Sequence, residues 1–473
     1  MPIALLPGNC ASGPSGHENH EGDDEVEDIF RYVEDHASEY TEMLYSACRQ
    51  PSISAQNVGM REMATLVRDL LLKTGAVTEI LETSGNPFVY GFLDAGRKKT
   101  LSCYNHYDVQ PVDPIEEWES DPFVPELRDG RIYARGVADN KGNLLARICA
   151  VHAWLQVRGT LPVNMKFICE GEEEVGSPHL KEFPVKYPEK MKTDGILWEG
   201  GSRNIGGPVH VALGAKGMCY VEMKIRTAVS DLHSANAAVI PNPAWILVRA
   251  LNSLKDAEEN ILIEGFYDGV KPLTDLDREY LEKLPYDEKT TLEQFGTKDF
   301  LLGLSGYPLR KRLLYSPTCN IAGMISGYTG PGGKTVLPAV ASAKMDIRLV
   351  PDQDPDRIFG LLRAHLDRNG FGEIELSRGS SKPPFRTDPS HPLASSVIRC
   401  VREVYGAEPA VYLNLSGTSP IYDLCSAARI GAVQVGVANE DSRAHAPNEN
   451  IFLRDYIDGI KLVAAVMEDF SRV

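Results

Sequence analysis

An α/β fold interrupted by an inserted α+β unit is predicted for this 473-residue chain by three observations. Short apolar runs bounded by turn residues recur along it. Helix-period runs alternate with them. The alternation then stops between a Gly-rich and a Ser/Pro-rich stretch. Such alternation builds a central mixed sheet flanked by helices.

The elements follow in order. Residues 1–24 are acidic and Gly/Pro-rich and read as a mobile leader, which holds His17 and His20. Ile29, Tyr32 and Val33 begin a helix-like pattern. "KKTLSCYN", "VNMKFICE", "DGILWEGG" and "GAVQVGVA" read as strands buried on both faces. In "KGNLLARICAVHAWLQVRG", Leu144, Ile148, Val151 and Leu155 recur at helical spacing, and Gly159 supplies a stop; His152 on this helix reads as structural. The Gly-rich residues 199–217 and the Ser/Pro-rich residues 377–392 read as hinges. Between them lie the alternating runs "MCYVEMKIRTA" and "ASAKMDIRLV", a helix starting near Pro243, and a charged insertion over residues 256–298. The boundaries drawn are a catalytic domain of 25–212 and 385–473, whose last strand and helix follow Pro392, and an inserted domain of 213–384.

Composition excludes several function classes. With 49 Lys+Arg against 66 Asp+Glu, the formal net charge of −17 repels phosphate backbones and anionic lipid surfaces. No apolar run reaches the roughly 20 residues of a spanning helix, and the first residues lack the basic flank and apolar length of a signal peptide. Nine scattered cysteines without a Cys-x-x-Cys pair suit neither a disulfide framework nor a structural zinc site. A reduced, cytoplasmic protein is expected.

In open α/β sheets ligands gather at the carboxyl ends of strands. His106 and Asp108 follow "TLSCYN", Glu172, Glu173 and Glu174 follow "MKFICEG", Glu199 follows "GILW", and His445 lies beyond "AVQVGVA". Asp139 ends a turn just before a helix, where a carboxylate also faces the helix dipole. Taken singly, each has a plain structural explanation: a hydrogen-bonded loop histidine, a helix cap at Asp139, a solvated glutamate run. Together in one cleft, carboxylates and imidazoles require cations to neutralise them. Two divalent metals would do so, one carboxylate bridging and each metal also taking a histidine and a terminal carboxylate. The mixed N/O donors suit Zn²⁺ and accept Mn²⁺ or Co²⁺.

"NHYDVQP", "IYARGVADNKG", "EGEEEVGS", "DLHS", "KTVLPA", "IRLVP" and "HAPNE" occur in an order that resembles the dinuclear zinc aminopeptidase-like family, which includes carnosine dipeptidases, Cys-Gly dipeptidases, aminoacylases and acetylornithine or succinyl-diaminopimelate deacylases. The resemblance runs from about residue 25 to the C-terminus and implies a zinc-aminopeptidase-like catalytic domain with a lid and dimerisation domain inserted. It implies that His106 and Glu199 are terminal ligands of one metal, Glu174 and His445 of the other, and Asp139 the bridge. Glu173 becomes the general base, Glu172 a bystander or support, and Asp108 the carboxylate that orients the His106 imidazole. The Asp139–Asn140 peptide is expected to be cis. A homodimer through the lid would place His233 in the partner subunit's active site to stabilise an oxyanion. Thr335, Arg348 and Thr418 are expected to hold the substrate carboxylate or main chain.

The chain departs from the family pattern at Ala235, at the Ser416-Gly417-Thr418-Ser419-Pro420 loop, and at Ala134 before Arg135. The loop change bears on substrate recognition. The long lid, including residues 263–288, resembles the dipeptidase branch. A metal-dependent dipeptidase is therefore expected first, an N-acyl amino acid deacylase or xenobiotic amide hydrolase second, and a catalytically silent dimeric binding protein last.

Overall fold

Three apolar runs determine the sheet that carries the site. Thr100–His106, Asn164–Glu170 and Gly195–Trp198 are buried along nearly their whole length. They pair in parallel, with Thr100–His106 in the middle, because side chains apolar on both faces can only be covered by helices on both. The computed structural model describes residues 23–426 and 428–473. The leader drawn at 1–24 lies outside the described residues except for Asp23 and Asp24, which open the first helix, Asp23–Asp35.

The full sheet has eight strands in the order Val77–Leu81, Phe88–Leu93, Asn164–Glu170, Thr100–His106, Gly195–Trp198, Ala432–Gln434, His210–Ala212, Ala410–Tyr412. The first two run antiparallel to their neighbours, so the sheet is mixed. Helices Gly142–Arg158 and Leu453–Arg472 share its large core. Gly159 ends the first of these in the left-handed region at φ 69°, its N–H bonded to the Leu155 carbonyl, as the sequence predicts. His152 is structural, its Nδ1 3.0 Å from the Tyr40 hydroxyl. The Gly-rich stretch is not hinge throughout: His210–Ala212 within it is a sheet strand. After Pro392 the large sheet gains two strands rather than one: Ala432–Gln434, within the expected run "GAVQVGVA", and Ala410–Tyr412. Ala410–Tyr412 and His210–Ala212 span only three residues, too few for a periodic signal.

The second sheet is antiparallel, ordered Asn320–Ser326, Val340–Leu349, Gly217–Arg226, Glu375–Lys382. Helices Pro243–Asn252 and Pro355–Arg368 cover one face with a separate core that includes Val221, Leu247, Met345 and Leu362. Ile261, Ile263 and Phe266 of the charged insertion join that core, and helices Asp275–Lys283 and Glu288–Phe295 follow them. Leu281 and Leu284, with Leu314 of the next helix Gly306–Tyr315, pack instead with Ala410 at the edge of the large sheet.

The chain crosses between the sheets twice, at Gly214–Ala215 and Phe385–Arg386, and these crossings pair antiparallel. The backbones touch. A Cβ on Gly217 would lie 2.5 Å from the Pro384 nitrogen and 2.6 Å from the Lys382 carbonyl oxygen, and neither can retreat as a side-chain end could. Gly217→Ala is expected to cost about 1–3 kcal/mol of stability, measured as a lower urea midpoint.

Candidate metal centre and catalytic cleft

The three parallel strands end at one edge, so the residues following them share a cleft. His106 is the last residue of its strand, Glu173–Val175 is a single turn after the next, and Glu199 follows Trp198 directly. Asp139 comes from the irregular turn Val137–Lys141 ahead of the central helix, and its peptide to Asn140 is cis, as expected. His445 enters from the loop before Asn450–Phe452, with φ 66°.

Asp139 is the centre of the arrangement. Its Oδ1 lies 2.9 Å from His106 Nε2 and its Oδ2 lies 3.1 Å from His445 Nε2. Glu199 Oε2 stands 3.8 Å from the first imidazole, and Glu174 Oε2 stands 3.1 Å from the second. The side chains thus fall into two histidine–carboxylate pairs on either side of one aspartate. Donor atoms of His106, Asp139 and Glu174 lie within 4.8 Å of one another.

Charge explains what this geometry asks for. Burial pushes His106 towards the neutral form, but Asp108, Asp139 and Glu199 outweigh it and hold its pKa well above the usual histidine range. Hydrogen bonds donated to the Asp139 and Glu174 carboxylates raise His445 to about 10. Burial opposes ionisation of Asp139, yet the two histidines hold it below the usual carboxylate range. Glu199 is raised well above that range by burial and by Glu173, and its Oε2 is buried without any hydrogen-bond donor. Positive charge is required between these groups, and an orphaned carboxylate oxygen faces the place where it would sit. The residues therefore fit a centre for divalent metal ions.

Supporting contacts hold the donors in place. His106 Nδ1 donates to the Asp108 carbonyl at 3.0 Å, with the Asp108 carboxylate at 3.4 Å. The same carboxylate accepts the backbone N–H groups of Glu173 and Glu174 at 3.2 and 3.0 Å, so Asp108 orients both the imidazole and the neighbouring turn. Glu172 turns aside to His179, 2.5 Å from its Nδ1. Burial raises the Glu173 carboxyl to about 7, with His106 opposing and Asp139, Glu174 and Asp108 reinforcing.

The remaining predicted residues form two other groups. Arg348 Nη1 donates to Thr418 Oγ1 at 2.7 Å. His233 is exposed on Leu232–His233, which pairs with Val336–Leu337, and Ser234 N donates to the Thr335 carbonyl at 3.3 Å. Among the described residues no hydrogen bond or ion pair joins His233 or Thr335 to the metal cluster; the His233 Nδ1 only accepts from Ala235 N at 3.1 Å.

Three functional supports escaped the sequence reading. Gln110 donates to Glu174 Oε2 at 2.9 Å. Arg147, buried in the central helix, donates to the carbonyls of Tyr104 at 2.6 Å and Leu197 at 3.1 Å, and to that of Trp198, tying together the strand ends that carry His106 and Glu199. Its signal was present: Arg147 falls on the face of Leu144, Ile148 and Val151, where a guanidinium needs buried acceptors. Glu449, the third, sits beneath Asp139; its signal was its place at the end of "HAPNE", to which no role had been attached.

A carboxylate-rich cleft of this kind at the edge of a mixed sheet, with a second sheet joined beside it, suits a metal-dependent hydrolase. Residues 103–469 match the peptidase family M20/M25/M40, and the chain belongs to that family. It is 29% identical over 477 residues to the human Beta-Ala-His dipeptidase, covering 95% of this chain and 93% of that protein. It is 27% identical over 482 residues to the Cys-Gly metallodipeptidase of Schizosaccharomyces pombe, covering 95% and 99%. Among solved structures it superimposes with a TM-score of 0.84 on the M20 family metallo-carboxypeptidase of Sulfolobus solfataricus, at 39% identity and covering 92% of this chain and 100% of that one.

Asp108→Ala is expected to weaken divalent-metal affinity about 10- to 100-fold, whereas His106→Ala, which removes a donor outright, should weaken it further. Chelator-competition titration ranks the two.

Proposed function

We propose that this protein is a metal-dependent dipeptidase that hydrolyses the peptide bond of a small dipeptide. The single observation that carries the reading is Asp139, whose two oxygens each face a histidine–carboxylate pair, with Glu173 alongside. His106 and Glu199 would hold one ion, His445 and Glu174 the other, and Asp139 both. The N/O donor set favours Zn²⁺, with Mn²⁺ or Co²⁺ as alternatives. Bound divalent ions polarise the scissile carbonyl and lower the pKa of a water towards neutrality.

The chain's own groups do the rest. Glu173 takes the water proton and returns it to the departing amine, work suited to a carboxyl that burial has raised to about 7. Arg348 and Thr418, already hydrogen-bonded to each other, bind the substrate's terminal carboxylate, with Thr335 contributing from the lid. Residues 25–212 and 385–473 act as the catalytic domain and 213–384 as the lid. Two lids pair in a homodimer. An exposed apolar edge strand, with Ile321, Met324 and Ile325, supports that pairing, and His233 then reaches the partner's site to hold the oxyanion. The eight described cysteines are all free and buried, in keeping with a reduced cytoplasmic location. No helix among the described residues is long and apolar enough to cross a membrane.

A second reading, removal of the C-terminal residue from longer peptides, is favoured by the 39% identity with the Sulfolobus metallo-carboxypeptidase. The same carboxylate clamp serves both. Metal-reconstituted protein offered dipeptides, longer peptides and N-acyl amino acids is expected to release free amino acids fastest from dipeptides. Preference for longer peptides would select the second reading, and activity confined to N-acyl compounds would reject both.

Glu173→Gln is expected to retain its metal while losing about 10²- to 10⁴-fold in kcat; unchanged turnover would rule it out as the base. Because the base acts ionised, kcat/KM should fall as pH drops through its pKa. Bound cations place that limb below the metal-free value of about 7. Finally, mixing inactive His233→Ala subunits with inactive Glu173→Gln subunits should restore part of the activity, since a mixed dimer holds one complete site.

A further inference from the structure

We propose that Glu449 is a positioning residue for the metal centre, holding the backbone behind Asp139 so that its carboxylate faces both histidines. The inference rests on the two-metal reading above.

The turn that delivers Asp139 is irregular. Gly136 has φ 83°, and Asp139 itself departs from helical geometry at φ −130° and ψ 91°. Several amides of this buried segment therefore have no helical acceptor, a state that costs free energy unless another group supplies one. Glu449 supplies it. Its Oε1 accepts from Ala138 N at 2.8 Å and Asp139 N at 3.0 Å, and its Oε2 accepts from Gly136 N at 2.8 Å and Arg135 Nη1 at 2.7 Å. Four donors from five consecutive positions converge on one carboxylate that is 0% exposed.

The same residue links two loops. Glu449 lies four positions after His445, and its own carbonyl accepts from Ala134 N at 3.1 Å. The adjacent Asn448 anchors that loop again through Glu119 N at 2.9 Å and the Glu117 carbonyl at 2.9 Å. The backbone carrying His445 and the backbone carrying Asp139 are thus joined through one side chain. A plain tie between loops needs a single bond; here three of the four bonds end on the amides that set the direction of the Asp139 side chain. Charge-assisted bonds of this kind are the stronger class.

The test uses the full-length protein stripped of metal and titrated with Zn²⁺. Readouts are the Zn²⁺ dissociation constant by chelator competition, the Zn²⁺-induced rise in Tm, and kcat and KM on a dipeptide. Glu449→Gln keeps the volume but presents an amide N–H₂ to converging donors. It is expected to weaken Zn²⁺ binding and lower kcat, each about 10- to 100-fold, while KM moves less than about threefold. Arg135→Gln breaks the same ion pair but leaves the amide bonds, so it should reduce stability with Zn²⁺ affinity kept within about threefold.

Wild-type Zn²⁺ affinity in Glu449→Gln would overturn the proposal. So would an equal loss in Arg135→Gln, since the ion pair alone would then account for the effect. If Glu449→Gln does not fold, Glu449→Asp carries the test: it keeps the charge but withdraws it from the amides, and the same loss is expected. Asp139→Asn is the reference. If it too binds Zn²⁺ like the wild type, the two-metal reading itself fails; if it alone loses affinity, only the role of Glu449 does.

Discussion

The demand that shapes this protein is electrostatic: acidic groups and two imidazoles are held together at one buried strand edge. Carboxylates gathered this closely repel one another unless positive charge lies between them. His106 and His445 answer part of that demand by standing on either side of Asp139. Glu199 leaves the rest open, with one oxygen buried and without a donor. A core of apolar side chains alone would not hold such a set. The cleft persists because Arg147, Asp108 and Glu449 supply fixed bonds to the strand ends and turns from which the acids project.

This dependence runs outward from the site to the fold. Parallel pairing of three strands brings His106, Glu173, Glu174 and Glu199 to the same edge. The helix that covers those strands carries Arg147 inward to their carbonyl ends, and the turn at its start presents Asp139. The second sheet, reached through the paired crossings near Gly214 and Phe385, brings Arg348 against Thr418 of the first. The helical insertion packs back onto the large sheet, with Asp277 paired to Arg386 on the crossing strand, so the two sheets are braced beside that crossing.

Much of this was legible in the residues. Runs apolar on both faces announce buried parallel strands, and the 3.6-residue recurrence from Leu144 to Leu155 announces the covering helix. Polar residues directly after such runs could be grouped because strand ends share an edge. The three-residue strands His210–Ala212 and Ala410–Tyr412 were harder to place, since periodicity needs more residues than they have, whereas Ala432–Gln434 lies within the apolar run "GAVQVGVA". The charged insertion is largely exposed; Ile261, Ile263 and Phe266 anchor it in the core of the second sheet, and Leu281 and Leu284 dock on a surface distant in sequence.

By itself the sequence determined the alternation of elements, the residue types available for metal chemistry and the family motifs that order them. Those properties are local, set by side-chain chemistry and by periods of two or 3.6 residues. Tertiary structure alone decided that Asp139 lies between two histidines 339 positions apart in numbering, 106 and 445. It also decided that Glu449 should sit behind Asp139 and that Glu199 should keep an oxygen without a donor. Distances across the chain follow from how the sheets and helices pack, and the protonation of a buried acid follows from every charge that packing brings near it.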